Sequence, residues 1–189
     1  IIIKDKNLIL FTGSGHGFNE SSRYLFNYIN ENSSVKTLWL TESSLLLSNK
    51  INIDSKFISV RSFKGIWACL RAKVLIGTGV TPPNPFGSIS YHTIKINLWH
   101  GIGPRSNNAG SDPYDKVAKK RGLLTPQKII ELMNRWDYVN FSSRQMSAVV
   151  GKLQFLIPSK KRIVLGYPRC DRLFDSDFIR KALKEKEYT

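Results

Sequence analysis

Thr93-Ile94-Lys95-Ile96-Asn97-Leu98-Trp99-His100-Gly101 is an apolar, alternating stretch that runs into a single histidine and then a glycine. Period-two alternation of this kind marks a β-strand. Gly101, Gly103 and Pro104 end it. The histidine therefore falls just past the carboxyl end of a strand. In an open α/β sheet, ligands bind in the crevice beyond those ends. An imidazole placed there titrates near neutral pH and is suited to taking a proton from a reacting group.

Outward from this stretch the chain alternates strand and helix. Residues 7–11, 35–40, 57–60, 74–77, 138–142 and 163–165 read as further strands. Ser21 or Ser22 is expected to cap a helix carrying Tyr24, Leu25, Tyr28 and Ile29 on one face. Residues 62–72 read as a helix with Phe63, Ile66, Trp67 and Leu70 turned inward. Trp136 is likewise read as core. Thr125-Pro126 opens another helix in the favoured order of cap then proline. Residues 143–150 give a short helix, and 177–187 look helical. Three prolines, Pro82, Pro83 and Pro85, place 78–90 in a loop. Strands alternating with helices predict a parallel, Rossmann-like sheet with helices on both faces. No internal repeat or low-complexity linker divides the chain, so residues 1–189 are expected to form one domain.

Composition narrows the partners. Lysine and arginine total 29 against 14 acidic residues, a net charge of +15. Such an excess points to an anionic partner. There is no zinc-ligand spacing, ribonucleoprotein signature or recognition helix, so nucleic acid is not expected. An anionic polymer or a membrane surface is favoured, with Lys119, Lys120 and Arg121 as the densest basic cluster. No apolar run approaches the roughly 18 residues that span a bilayer. Ile1 stands first and no signal-peptide pattern follows, so a trimmed N-terminus and a cytoplasmic location are expected. Cys69 and Cys170 are too few and too far apart for a disulfide framework. No His/Asp/Glu group stands at metal-ligand spacing, so no metal is expected.

His100 is the candidate general base. Arg105, five residues on in the same loop, is the leading phosphate ligand, since a guanidinium matches phosphate oxygens in two-pronged fashion. Arg169 and Asp171 follow another strand end and either line the cleft or pin a linker; Asp171 is equally well placed to cap a turn. Gly13-Ser14-Gly15-His16-Gly17 resembles a phosphate cradle, but it is not a full dinucleotide fingerprint. Glu42 follows Gly13 by 29 residues, against the usual ~20 for the ribose-binding acid. Contact with the acceptor suits this loop better, with His16 a secondary candidate.

Three ordered motifs carry a family resemblance. Trp99-His100-Gly101 with Pro104-Arg105 resembles the Trp-His-Gly-Thr-Pro-Leu-Lys signature of the CDP-glycerol glycerophosphotransferases, which build teichoic acids and capsules. Gly166-Tyr167-Pro168-Arg169-Cys170-Asp171 is similar to that family's Gly-Tyr-Pro-Arg-Asn-Asp. Gly17-Phe18 with Ser21-Ser22-Arg23-Tyr24-Leu25-Phe26 resembles its Asn-Ser-Lys-Tyr-Leu-Tyr-Glu opening. The chain departs at Ile102-Gly103-Pro104, at Arg105 and at Cys170.

The resemblance implies the N-terminal half of a GT-B-type architecture. A C-terminal donor domain of the same polypeptide would lie beyond this chain. It implies transfer of a polyol phosphate from CDP-glycerol or CDP-ribitol to a hydroxyl of a polymer or lipid-linked acceptor, with no other cofactor. His100 would be the base. Gly101, Arg105, Arg169, Asp171 and His16 would contact substrate, and the protein would sit on the inner membrane face. Two alternatives stand beside it: a GT-B glycosyltransferase that moves a sugar, and a non-catalytic basic domain that binds anionic polymer or membrane.

Overall fold

The computed structural model describes residues 3–42, 56–83, 92–99, 125–174 and 176. Seven strands form one sheet: β1 Asp5–Thr12, β2 Lys36–Thr41, β3 Phe57–Ser59, β4 Ala72–Gly77, β5 Ile94–Asn97, β6 Tyr138–Phe141 and β7 Arg162–Val164. Their order is β3-β2-β1-β4-β5-β6-β7, and every neighbouring pair is parallel. The order reverses direction at β1 and β4, where a doubly wound sheet opens its ligand crevice. All the expected strands are present, with ends displaced by one or two residues.

Alternation along each strand assigns its residues to opposite faces. Leu8 and Leu10 of β1 join Leu40 and Leu75 beneath α2 (Phe63–Arg71), which adds Ala68 and Cys69. Phe11, Trp39 and Ile76 face the other way and pack with Phe26 of α1 (Glu20–Asn32) and with Leu98. Phe18 closes that side edge-on against Trp39 at 4.7 Å and Phe57 at 5.1 Å. A third cluster surrounds β6: Val139 and Phe141 meet Trp136, Phe155, Ile157 and Tyr167. Each of these burials removes a large apolar side chain from water, worth about 1.5–3 kcal/mol apiece.

Thr125 caps α3 (Pro126–Met133) as expected, its side chain accepting a hydrogen bond from the Lys128 amide at 3.3 Å. Ser143 caps α4 (Arg144–Met146), which continues as a π-helix over Ser147–Gln154. A short α5 (Pro168–Asp171) follows β7 and packs on α1. The expected helix over 177–187 lies outside the described residues.

Two expectations are corrected. The residue at the start of α1 is Asn19, while Ser21 and Ser22 are buried inside its first turn. Asn19 does not cap the helix with its side chain; Asn19 instead accepts from the Ser14 amide at 3.0 Å and donates to the Ser14 carbonyl at 3.2 Å. In α2 the buried face is Gly65, Ala68 and Cys69, while Phe63 is 84% and Trp67 48% exposed. The cause is close approach. A Cβ on Gly65 would lie 2.1 Å from the Ser59 carbonyl oxygen, so the helix seats on its small residues and turns the aromatic ones out.

Candidate active site

β1 ends at Thr12, which is buried. Ser14–His16 form a single 3-10 turn, and the Thr12 hydroxyl lies 3.3 Å from His16 Nδ1. Burial holds the His16 imidazole below its ordinary pKa, Glu42 opposes that shift, and Arg61 adds to it. Glu42 and Arg61 follow the ends of β2 and β3, and the Val60 amide donates to the Thr41 carbonyl at 2.8 Å to hold those ends together. His16 is therefore neutral at pH 7. A histidine with a depressed native pKa stabilises the fold above pH 6.5, its value when free. That stability is lost as pH falls below 6.5 towards the native value. The melting temperature should accordingly drop more on going from pH 7 to 5 for the wild type than for His16→Asn. Asparagine also tolerates the left-handed backbone at this position. Identical pH slopes in paired melting curves would contradict the assignment.

The end of β5 is built around Asn97, which is fully buried. Its Nδ2 donates to the Gly79 carbonyl at 2.7 Å, and its Oδ1 accepts from the Trp99 amide at 2.8 Å. Trp99 packs edge-on against Phe155 at 5.1 Å and is 6% exposed. The main chain immediately before His100 is thus held from two sides. The neighbouring strand repeats the device. Asn140, buried on β6, donates to the Gly166 carbonyl and accepts from the Leu165 amide at 3.0 Å. It holds the turn that leads into Tyr167-Pro168-Arg169, where Gly166 has φ of +80°.

Strain collects at the same edge. Of the four non-glycine residues with positive φ among the described residues, His16 and Trp99 lie in the segments that follow β1 and β5, with φ of 60° and 53°, and Glu20, with φ of 60°, opens α1. Such conformations cost about 1–3 kcal/mol each and persist where the surroundings impose them, as functional sites do.

Arg169 reaches across to Glu20, Nη1 to Oε2 at 3.0 Å, and its guanidinium lies 5.7 Å from the centre of the Tyr167 ring. This pair spans 149 residues of sequence and joins the Gly-Tyr-Pro-Arg turn to the start of α1. With its side chains about one-third exposed, it is a partly screened ion pair near the surface, worth about 1 kcal/mol or less. Asp171 is exposed and lines a groove with Tyr24, Leu25, Tyr28 and Pro168.

The structure therefore brings the loop carrying His16, the end of β5 and the Arg169 turn to one edge of the sheet. His100, Gly101, Arg105, Lys119, Lys120 and Arg121 lie outside the described residues. Among the described residues no group of three or more His, Cys, Asp or Glu side chains is placed to hold a metal. No helix among them is long and apolar enough to cross a membrane. Sequence reading missed Glu20, Asn97 and Asn140. The two asparagines did leave a signal, as the polar residue near the end of an otherwise apolar strand.

No curated protein matches the chain by sequence. Among solved structures, a histidine-to-alanine variant of the wall teichoic acid polymerase TagF superposes with a TM-score of 0.69. It is 18% identical and covers 96% of this chain and 44% of that one. The TagF structure without that substitution gives a TM-score of 0.65 at 17% identity, covering 96% and 43%. The chain thus spans less than half the length of these proteins, and the likeness carries the Rossmann-like fold. The model of the CDP-glycerol:poly(glycerophosphate) glycerophosphotransferases matches residues 1–188. That match over nearly its whole length makes this chain a member of the CDP-glycerol:poly(glycerophosphate) glycerophosphotransferase family.

Proposed function

We propose that this chain is the acceptor-side half of a polyol-phosphate transferase. The donor is CDP-glycerol or CDP-ribitol, and the acceptor is a hydroxyl on a teichoic-acid-like or capsule-like polymer or its lipid-linked primer. His100 takes the proton of that hydroxyl as its oxygen attacks the phosphorus bearing the polyol. The bond from that phosphorus to the bridging oxygen breaks, and CMP leaves with the electron pair. General base catalysis of this kind contributes roughly 10²–10⁴-fold. Arg105 and Gly101 border the same turn and serve the phosphates; His16 and Asp171 contact the acceptor. Arg169 exchanges its Glu20 partner for substrate phosphate, since an ion pair this exposed is weak enough to yield. Lys119, Lys120 and Arg121 neutralise the polymer and dock the enzyme on the inner membrane face.

The observation that supports this reading is the Asn97–Trp99 arrangement, which holds the backbone just past the carboxyl end of β5, at the residue before His100 in sequence. The donor is assigned to a second Rossmann-like half in the same polypeptide, which leads to a direct test. Residues 1–189 alone are expected to release no CMP from CDP-glycerol, while a protein carrying both halves releases it. Turnover by the 189-residue chain would overturn the two-half reading.

A further inference from the structure

We propose that the outward face of α2 is an in-plane anchor that sets into the headgroup region of an anionic lipid bilayer. The choice of lipid as occupant rests on the reading above, in which the acceptor is met at a membrane.

The helix is amphipathic in an unusual sense. Its inward face is small, Gly65, Ala68 and Cys69. Its outward face carries the large apolar groups. Phe63 and Trp67 stand one turn apart and are 84% and 48% exposed, and Leu70, half-buried, continues the same stripe. Lys64 and Arg71 fall on one flank of that stripe at helical spacing, and Arg61 is exposed just before the helix. From Arg61 to Lys73 the chain holds four basic residues and no acidic one. Aromatic side chains with adjoining cations are the composition of helices that lie in the membrane interface, where rings sit at headgroup level and cations meet lipid phosphate.

The charge decides between occupants. A second copy of the chain would bring two all-basic flanks together, so the face is not self-complementary. An anionic bilayer satisfies the aromatic stripe and the cations at once, and long-range attraction from a chain of net charge +15 favours the encounter.

Trp67 makes the proposal directly measurable. The other three tryptophans, Trp39, Trp99 and Trp136, are at most 6% exposed, so Trp67 is the one a lipid can reach. The 189-residue chain is mixed with phosphatidylglycerol vesicles containing lipid brominated near the headgroup, and tryptophan emission is followed together with co-sedimentation. The expected result is a blue shift with quenching, absent with phosphatidylcholine and largely lost in about 0.5 M salt, where the Debye length shrinks to a few ångströms. Trp67→Phe should remove the quenching while most of the binding remains. Phe63→Ser and Lys64→Glu should each lower partitioning by about tenfold at unchanged melting temperature, because both side chains are exposed.

Vesicle binding without Trp67 quenching would place the contact elsewhere, for instance at Lys119–Arg121, and overturn the proposal. So would binding unaffected by Phe63→Ser and Lys64→Glu, or no binding at all. A Trp67 response to soluble polyglycerophosphate but not to vesicles would make polymer the occupant and equally overturn it. None of these readouts involves transfer chemistry, so failure here leaves the assignment of His100 standing, and loss of CMP release leaves this surface standing.

Discussion

Replacing His100 by alanine in a protein carrying both halves should lower turnover by at least ~10², with the melting curve nearly unchanged. Removing the base leaves the acceptor hydroxyl to attack without a positioned proton acceptor. Donor binding is assigned to the proposed second half, so KM for CDP-glycerol is expected to stay within a few-fold while kcat falls. Stability should hold because the described core closes without this residue: Trp99, Phe155 and Trp136 fill the neighbouring cluster themselves. The two readouts together separate a catalytic histidine from a structural one. Wild-type kcat in His100→Ala would end its assignment as base, and a collapsed melting transition would recast it as a packing residue.

The second large effect belongs to Asn97. Leucine there matches the volume but leaves the Trp99 amide and the Gly79 carbonyl without their partners. An unpaired buried polar group costs about 1–3 kcal/mol, so the two together should destabilise by roughly 2–4 kcal/mol. For a domain of this size, that lowers the melting temperature by about 4–15 °C. Because the same bonds fix the strained backbone of Trp99 before His100, kcat should fall further than the loss of folded protein explains. A melting temperature within a degree of wild type would show that the loop is held by other means.

The strands were legible because they are short apolar runs punctuated by glycine, proline and polar loops, and a buried parallel sheet leaves little room for other readings. The helix cap at Thr125 was legible because cap and proline are local chemistry. Three things were not. The buried face of α2 was hidden because the helix offers two apolar stripes, and the larger one is the natural choice for a core. What decides against it is the 2.1 Å approach between a Cβ at Gly65 and the Ser59 carbonyl oxygen, a distance that no periodicity contains. The start of α1 was misread because Ser21 and Ser22 are good capping residues, while Asn19, which takes the position, spends its side chain on Ser14. The Glu20–Arg169 pair joins residues 149 apart, and only the packing of α5 on α1 creates it.

At the strand ends, the Gly-Tyr-Pro-Arg turn after β7 was legible as a strand-end signal, and Trp99 follows β5 as the alternation implies, while His100 lies outside the described residues. The supports of both strand ends were not legible. Asn97 and Asn140 interrupt apolar strands and look like imperfections in the pattern. Each proves to be a fully buried clip that fixes the backbone of an adjoining loop. Polar side chains survive burial when their hydrogen bonds are complete, and these complete theirs with loop backbone.

The proposed transfer of a polyol phosphate is tested most directly by ³¹P NMR. The protein carrying both halves is incubated with CDP-glycerol and a polyglycerophosphate acceptor, and the products are followed over time. The expected result is a growing phosphodiester resonance and CMP in equal amounts. A protein that leaves CDP-glycerol intact, yet releases a nucleoside diphosphate from a nucleotide sugar with no new phosphodiester, would contradict it.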